Sequence, residues 1–341
     1  MKFSIISRVP EWDSLSEEWN QLFSKSIMQV PFLSFAYQRA WWQTLGGAEW
    51  LPEKSSLQII IARESGSLVG IAPLFLSSRD GFEPALRFIG SIDVSDYLDF
   101  LAEPGNLASF LQGLLEFLKA NPDVSTSILD LYNLRNDSPT LPALQAACDA
   151  TGWEIQIDKV EPSPFIRLSD SWEGYLASIN KKQRHEVRRK VRNAETRHET
   201  AWYYVQDQAN LETEMDDFIT MMRKDPRKEA FMNEAMVQHM QSTARLAFEQ
   251  GILHLSFLTM DGHKTAAFMS LLSQNKLLVY NSAWEPAYAP CSPGWVLLSK
   301  VIQWSIDRGI QEVDMMRGDE AYKYKFGAVD RFVMRAVCTP K

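Results

Sequence analysis

The chain has 341 residues, of which 45% are hydrophobic and 23% charged, and its formal net charge is -8. This length predicts two domains of a globular protein, and the overall acidity argues against a dedicated nucleic-acid binder. Residues 1–165 carry 11 basic and 21 acidic side chains, whereas residues 166–341 carry 24 and 22, so the second half is the better host for a phosphorylated ligand.

The sequence also restricts where the protein is expected to work. Its three cysteines are too few and too scattered for a disulfide framework or a cysteine-based zinc site. The N-terminus does not have the pattern of a signal peptide. The most apolar stretch, residues 57–76, is interrupted by Arg63 and Glu64 and predicts no membrane span. We therefore expect a cytoplasmic protein without a bound metal.

Apolar spacing and turn residues divide the first half into helices and strands. The predicted helices are residues 12–23, 36–45, 107–120 and 141–151, with Trp19, Leu22, Trp41 and Leu45 as core positions. The predicted strands are residues 57–63, 68–76, 86–89, 97–101 and 127–131.

The second half repeats this order of helices, an antiparallel meander, a long helix and a returning strand. Its predicted helices are residues 172–177, 181–199, 211–222, 234–250 and 295–309, and its predicted strands are residues 253–260, 265–272, 277–283 and 310–317. We predict an α/β (α+β) fold of two similar domains, residues 1–163 and 164–341. Each would be a mixed, mostly antiparallel sheet flanked by helices, and the proline-rich segment 162–164 would join them.

The start of the helix near residue 293 is a candidate anion site. Ser292 suits the N-cap, Pro293 suits the first helical position, and Gly294 lets a ligand approach the backbone ahead of Trp295. Unpaired N–H groups at a helix N-terminus favour a phosphate. The same triplet is also how many helices simply begin, so the anion site is one of two interpretations.

A polar cluster follows the last strand of this half. Asp319 and Glu320 are candidate bases, and Tyr322 and Lys323 are candidate donors to a leaving thiolate or an oxyanion. Acyl transfer from a thioester needs both kinds of group. The competing interpretation is a salt-bridged helix start, in which Lys323 pairs with Asp319 at a spacing of four residues.

Two further features have a functional and a structural interpretation. In the basic run of residues 181–192, Arg184 and Arg188 would share one helix face, which either grips phosphate or is solvated. Cys291 precedes a helix N-terminus, where a thiol can become nucleophilic. No histidine lies at a diagnostic spacing from it, so a cysteine mechanism is disfavoured.

Residues 176–194, 292–298 and 313–327 resemble the CelD-like branch of the GNAT acyltransferase superfamily, and so do residues 31–42, 68–74 and 95–99. The run Arg-Gly-Asp-Glu-Ala-Tyr-Lys at 317–323 is the most specific part of this resemblance. It implies a tandem GNAT fold, similar to the Fem peptidyltransferases, with the diphosphate of acyl-CoA at residues 292–295. Gly294 is the only glycine in the segment where GNAT enzymes have several, which leaves aminoacyl-tRNA open as the donor.

The resemblance implies an acyltransferase that moves an acetyl or other acyl group from acyl-CoA to an amine or hydroxyl. The acceptor would be a sugar or a precursor of the cell envelope or of an exopolysaccharide such as cellulose. Asp319 or Glu320 would be the base, Tyr322 the proton donor and Lys323 the oxyanion stabiliser; Arg184, Arg188, Asp96 and Tyr97 would bind substrate. The alternatives are a Fem-like aminoacyl-tRNA-dependent aminoacyltransferase and a non-catalytic partner of polysaccharide-synthesis proteins.

Overall fold

The computed structural model describes residues 1–47, 52–79, 82–121 and 128–341. They form two compact units: unit 1 contains residues 1–162 and 331–341, and unit 2 contains residues 163–330. The sequence places the division after residue 163, next to the first of these boundaries. It places residues 331–341 in the second domain, whereas their strand pairs within unit 1.

Unit 1 has two sheets and five helices among its described residues. Its helices are α1 (Val9–Asp13), α2 (Ser16–Phe23), α3 (Phe35–Leu45), α4 (Leu107–Ala120) and α5 (Thr140–Thr151). Its first nine strands are β1 (Lys2–Ile6), β2 (Ser56–Leu57), β3 (Ile59–Glu64), β4 (Ser67–Ala72), β5 (Leu74–Arg79), β6 (Phe82–Phe88), β7 (Leu101–Ala102), β8 (Ile128–Arg135) and β9 (Trp153–Pro162). The sheet orders are β1-β3-β4-β7 and β2-β5-β6-β8, and the second sheet continues through the last strand of the chain to β9.

Unit 2 has one six-stranded sheet among its described residues. Its helices are α6 (Trp172–Ser178), α7 (Lys181–Arg197), α8 (Gln208–Met222), α9 (Pro226–Phe231), α10 (Glu234–Glu249), α11 (Pro293–Asp307) and α12 (Ala321–Lys325). Its strands are β10 (Phe165–Arg167), β11 (Thr200–Tyr204), β12 (Leu253–Met260), β13 (His263–Ser273), β14 (Lys276–Trp284) and β15 (Glu312–Asp314), in the order β10-β15-β14-β13-β12-β11. The strand β16 (Phe332–Pro340) then follows in unit 1.

Both units are mixed sheets in which most neighbours are antiparallel, flanked by helices as the sequence predicts. Each unit has one parallel pair among its described strands, β6 with β8 and β14 with β15. A helix connects the members of each pair, α4 in unit 1 and α11 in unit 2. This repeated strand–helix–strand crossover is what makes the two halves similar.

The last strand completes the sheet of unit 1. β16 pairs antiparallel with β8 on one side and with β9 on the other. A buried cluster of charges reinforces this position: Asp130 on β8 accepts from Arg335 on β16 at 2.6 Å and lies 3.0 Å from Arg87 on β6. A carboxylate at 4% exposure needs such partners, so three strands are tied together at this point.

Several elements differ from the prediction. The helix expected over residues 12–23 is two helices, α1 and α2, and Leu45 is half-buried although Trp19, Leu22 and Trp41 are buried. The predicted strands at 97–101 and 310–317 shrink to Leu101–Ala102 and Glu312–Asp314. The predicted strand at 127–131 extends as β8 to Arg135, and Ser127 lies outside the described residues. Strands β1, β9, β10, β11 and β16 were not predicted, nor was helix α9.

Within the described ranges, no helix is long and apolar enough to cross a membrane.

The position of β16 in unit 1 leads to a stability prediction. Ala336 on β16 is fully buried, so Ala336→Asp places a carboxylate where nothing solvates it and should lower the free energy of unfolding by at least ~3 kcal/mol. Met334→Asp is the control, because Met334 is only half-buried and lies opposite Lys159. Chemical denaturation of both variants measures the difference. Equal stability of the two would contradict a buried β16.

Candidate active site

The cleft of unit 2 begins where two parallel strands part. β14 pairs with β15 only from Lys276 to Leu278, opposite Glu312 to Asp314. β14 then continues to Trp284 with β13 on its other side. Its second half therefore has one edge that β15 does not cover. Lys228 of α9 reaches this edge, where its ammonium donates to the carbonyl oxygen of Ser282.

A cavity of about 530 Å³ lies beside this edge, wholly within unit 2. Residues of α8, α9, β13, β14, α11 and α12 and of their connecting turns line it. They are Met221, Met222, Lys224, Asp225, Pro226, Arg227, Lys228, Phe268, Ser282, Ala283, Trp284, Pro286, Ala289, Ser292, Pro293, Gly294, Trp295, Glu320 and Tyr322. The start of α11 and part of the polar cluster after β15 therefore line the same cavity. The sequence predicts phosphate binding for the first of these regions and acid–base groups for the second.

The start of α11 differs from the expected cap but leaves donors free. A 3-10 turn from Pro286 to Cys291 leads into Ser292, which is the N-cap with φ 52° but makes no side-chain cap bond. In the described part of the chain, neither the Ser292 hydroxyl nor the Gly294 N–H has a hydrogen-bond partner. A Cβ at Gly294 would meet nothing within 4 Å, so the backbone here is open to a ligand. Free donors at the positive end of a 15-residue helix favour an anion.

The loop after β15 is held by Lys323, which is 3% exposed. Its ammonium donates to the carbonyl oxygens of Met316, Arg317 and Gly318 at 3.2, 2.8 and 3.1 Å. It also lies 2.9 Å from Glu320 Oε2. Because these acceptors use the whole donor capacity of the ammonium, Lys323 is placed to fix the loop rather than to meet an oxyanion. Its ionic partner is Glu320, not Asp319.

The backbone of this loop depends on its glycine. Gly318 has φ 113°, and a Cβ there would lie 2.5 Å from Glu320 Oε2. Any larger residue at position 318 would therefore be strained and would push the Glu320 carboxylate out of its contact with Lys323. The backbone conformation and the close approach of Glu320 therefore require the glycine of the Arg-Gly-Asp-Glu run.

Tyr322 supplies the third free donor of the cavity. Its hydroxyl has no hydrogen-bond partner among the residues that the structure describes, and its ring packs against the core of unit 2. Burial raises the pKa of Tyr322 well above its ordinary value, and the charge of Glu320 adds to the rise. The phenol therefore stays protonated at neutral pH and can donate a proton.

Cations surround this cavity. Lys224, Arg227 and Lys228 line one side, and burial lowers the pKa of Lys228 while Asp225 and Glu320 partly restore it. The ammonium of Lys190 on α7 lies 3.7 Å above the ring of Trp295. Helix α7 packs against α11, so this part of the basic run reaches the start of α11.

The remaining predicted residues lie elsewhere. Asp319 accepts from the Tyr324 hydroxyl at 2.9 Å and does not line the cavity. Arg188 on α7 pairs with Glu173 at 2.5 Å. The neighbouring Arg184 is half-buried, and its Nε is buried without a partner in the described ranges. Neither arginine lines the cavity.

Asp96 and Tyr97 belong to unit 1, where both are buried at 8% and 0% exposure. The segment that contains them is held by Asn133, whose amide donates to the carbonyl oxygens of Ile92 and Ser95. The Tyr97 ring also lies 5.5 Å from the guanidinium of Arg135. Burial and these contacts give the pair a place in the core of unit 1.

Two residues near the cavity, Lys228 and Lys190, are not predicted as site residues from the sequence. Lys228 follows Asp225-Pro226, an N-cap and first-turn pair that predicts a helix start, so α9 was visible in principle. Nothing in the sequence shows that its third residue, Lys228, reaches the edge of β14. Lys190 was counted in the basic run, but its contact with Trp295 depends on how two helices pack.

The fold of this chain is similar to that of known proteins. Residues 181–324 match the family model described as an acetyltransferase (GNAT) domain. The match includes every residue that lines the cavity and leaves out only the first and last parts of unit 2. It supports a transferase. A search of curated proteins gives no match.

Solved structures extend the likeness to both units. A crystal structure of FemX superposes with a TM-score of 0.64 at 12% identity, over 98% of this chain and 97% of that chain. A conserved protein of unknown function from Bacteroides thetaiotaomicron gives 0.63 at 10% identity, over 99% and 100%. The C-terminal domain of a putative lysylphosphatidylglycerol synthetase from Agrobacterium fabrum gives 0.58 at 10%, over 96% and 92%. At these identities the likeness shows the fold.

The contacts of Lys323 separate a structural role from a catalytic one. Lys323→Met keeps the length of the stem but leaves three carbonyl oxygens and Glu320 without their cation, so we expect a loss of about 3 kcal/mol of unfolding free energy. The control is Lys325→Met on the same helix, where the side chain is exposed. Thermal melting of both variants measures the effect. An unchanged melting temperature for Lys323→Met would contradict a role in holding the loop.

Proposed function

We propose that unit 2 is an acyltransferase that moves an acyl group, acetyl in the simplest case, from acyl-CoA to an amine or a hydroxyl. One observation carries the proposal: three unpartnered donors, the Ser292 hydroxyl, the Gly294 N–H and the Tyr322 hydroxyl, belong to residues that line one cavity. The Ser292 hydroxyl and the Gly294 N–H suit the phosphates of acyl-CoA, and the Tyr322 hydroxyl suits its sulfur. The family match over residues 181–324 supports the same reaction class.

The donor would lie along the open edge of β14. Its diphosphate would meet the N–H groups at the start of α11, where Lys190 adds positive charge. Its amide-containing arm would pair with the edge of β14 that β15 does not cover, in the way that an added strand does. The Lys228 ammonium, now on the Ser282 carbonyl, would be displaced or would contact the donor.

The chemistry follows from Glu320 and Tyr322. The acceptor nitrogen or oxygen attacks the thioester carbon, and the bond from that carbon to sulfur breaks. Tyr322, a phenol that is protonated at neutral pH, gives its proton to the leaving sulfur. Glu320, whose side chain is 57% exposed, takes the proton of the acceptor directly or through water. Lys323 acts as a positioning residue that fixes Glu320 and the loop.

The acceptor would be a sugar or a precursor of the cell envelope or of an exopolysaccharide. The resemblance of residues 313–327 to the CelD-like branch supports a sugar or an envelope or exopolysaccharide precursor as acceptor. The cavity has a polar side formed by Lys224, Arg227 and Glu320 and an apolar side that includes Trp284. An exposed indole beside charged groups suits a sugar ring, because one face of such a ring is apolar and its hydroxyls are polar.

Aminoacyl-tRNA is the second candidate donor, and the exposed part of α7 favours it. Lys181, Lys182 and Arg192 are exposed and have no ion pair in the described residues. Such a row of cations suits a polyanion. Calorimetric titration distinguishes the donors: binding of aminoacyl-tRNA without acetyl-CoA would favour a Fem-like aminoacyltransferase. Binding of neither would favour a non-catalytic subunit.

The donor site can be tested at Gly294. Gly294→Glu places a carboxylate at the point proposed for the diphosphate, so we expect the affinity for acetyl-CoA to fall at least about a hundredfold. Gly294→Ala should fold normally, because a Cβ there has open space, and should bind nearly as the parent does. Gly294→Gln separates size from charge. Normal affinity for acetyl-CoA in Gly294→Glu would remove the start of α11 from the donor site.

The proton donor can be tested at Tyr322. Tyr322→Phe keeps the partly buried ring and removes the hydroxyl, so kcat for thiol release from acetyl-CoA should fall by about a hundredfold while donor affinity changes little. The matched control is Tyr324→Phe on the same helix, because the Tyr324 hydroxyl is already bonded to Asp319 and Asp330. Turnover with a panel of amino sugars measures both. A fully active Tyr322→Phe enzyme would exclude this residue as the acid.

A further inference from the structure

Three side chains that the proposed transfer does not use form a linear array in unit 2. The Nδ1 atom of His198 lies 2.6 Å from Asp261 Oδ2, and its Nε2 atom lies 3.2 Å from the sulfur of Cys291. The imidazole thus stands between a carboxylate and a thiol, with one ring nitrogen on each. A nucleophile, a base and a group that orients the base are the parts of an activated nucleophile.

Asp261 is held in place as the hydrogen-bond acceptor of His198. It lies in the turn between β12 and β13, and its Oδ1 accepts from the backbone N–H of Glu199 at 2.9 Å. The hydrogen bond from His198, and then that from Glu199, lowers the pKa of Asp261. An ionised carboxylate can only accept, so Nδ1 of the imidazole carries the hydrogen of this bond. Nε2 is therefore the nitrogen left to take a proton from Cys291.

The backbone supports the charges that proton transfer would create. His198 is the C-cap of the 17-residue helix α7, where the helix dipole stabilises a cation. Cys291 directly precedes Ser292, the N-cap of α11, where the opposite end of a dipole stabilises a negative sulfur. The ring of Tyr288, 5.9 Å from that of His198, packs against the imidazole.

The array is accessible, and it is not a metal site. Cys291 is partly exposed, whereas Cys148 and Cys338, the other two cysteines, are fully buried. The side chain of His198 is 22% exposed. The three groups do not converge on a common point, and no cluster of metal ligands exists in the described residues. Cys291 also lies between Ala289 and Ser292, which both line the donor cavity.

We infer that Cys291, activated by His198 and Asp261, is a nucleophilic thiol that accepts an acyl group from a thioester. His198 Nε2 takes the proton of the thiol, and the sulfur attacks the carbonyl carbon of the thioester. The bond from that carbon to the donor sulfur then breaks, and the departing thiol receives the proton from His198. The product is an acyl thioester on Cys291, and no oxidant or reductant is needed. The inference rests on the proposed function for the identity of the donor but not for the nucleophile.

The nucleophile is tested first, by the rate at which iodoacetamide alkylates Cys291 in the folded protein, followed by peptide mass analysis. His198→Gln should lower this rate by at least about tenfold and Asp261→Asn by less, because the imidazole remains. The control is His185→Gln, an exposed histidine on the same helix. Equal alkylation of the parent and His198→Gln would overturn the inference.

Acyl transfer to the thiol is tested next, with acetyl-CoA and with the acetyl thioester of N-acetylcysteamine, which lacks a diphosphate. One acetyl group should appear on the Cys291 peptide with both donors, should be released by hydroxylamine, and should be absent from Cys291→Ser. Gly294→Glu should lose acetylation by acetyl-CoA but keep it with the small thioester. Acetylation of this variant by acetyl-CoA at the parent rate would count against the proposed donor site and leave the nucleophile standing. Absence of acetyl-Cys291 with both donors in the parent would overturn the inference.

Discussion

The parting of β14 and β15 is the constraint on which the rest of unit 2 depends. Two parallel strands normally satisfy each other's backbone groups along their shared length. Here the pairing stops at Leu278 and Asp314, and β14 continues alone on that side as far as Trp284. A backbone edge left open in the interior of a domain must find other partners. The Lys228 ammonium is one such partner, and the proposed thioester donor would be another.

The two walls of the resulting cavity are built by different means. The α11 wall is rigid, because Pro293 fixes the first turn of a helix whose inner face is buried from Val296 onward. The wall after β15 has little regular structure. The buried ammonium of Lys323 fixes its shape by donating to three carbonyl oxygens. A buried cation so fully coordinated is costly to disturb. The loop can therefore present Glu320 and Tyr322 in a fixed position without being part of the sheet.

Elements that depend on neighbouring residues could be predicted from the sequence. Contacts between residues far apart in the chain could not. The start of α11 followed from Pro293, whose fixed φ suits the first helical position, although Ser292 does not cap the helix with its side chain. The missed strand β9 alternates Trp153, Ile155 and Ile157, a period of two that could have been recognised. The role of Lys323 could not have been recognised. A lysine three residues after Glu320 has the same spacing whether it forms an ion pair on the surface or donates to buried carbonyl oxygens.

Distance along the chain explains the other failures. His198 is separated by 63 residues from Asp261 and by 93 from Cys291, so no spacing rule connects them. Their meeting depends on the register of β11 against β12, which sets the end of α7 beside the hairpin turn. The α/β fold, in contrast, could be predicted because the order of helices and strands depends mainly on residues close together in the chain. The geometry of the candidate site depends on packing between distant segments, which the sequence does not display.

The return of β16 to unit 1 has a consequence for how the chain is made. A ribosome releases residues up to Pro162 first, but the strand that belongs between β8 and β9 emerges only after the whole of unit 2. Until then the facing edges of β8 and β9 lack their partner, and unpaired edges invite association with other chains. The protein therefore cannot be cut at residue 163 into two self-sufficient halves. The pairing of β16 therefore makes completion of the first unit depend on prior synthesis of the second.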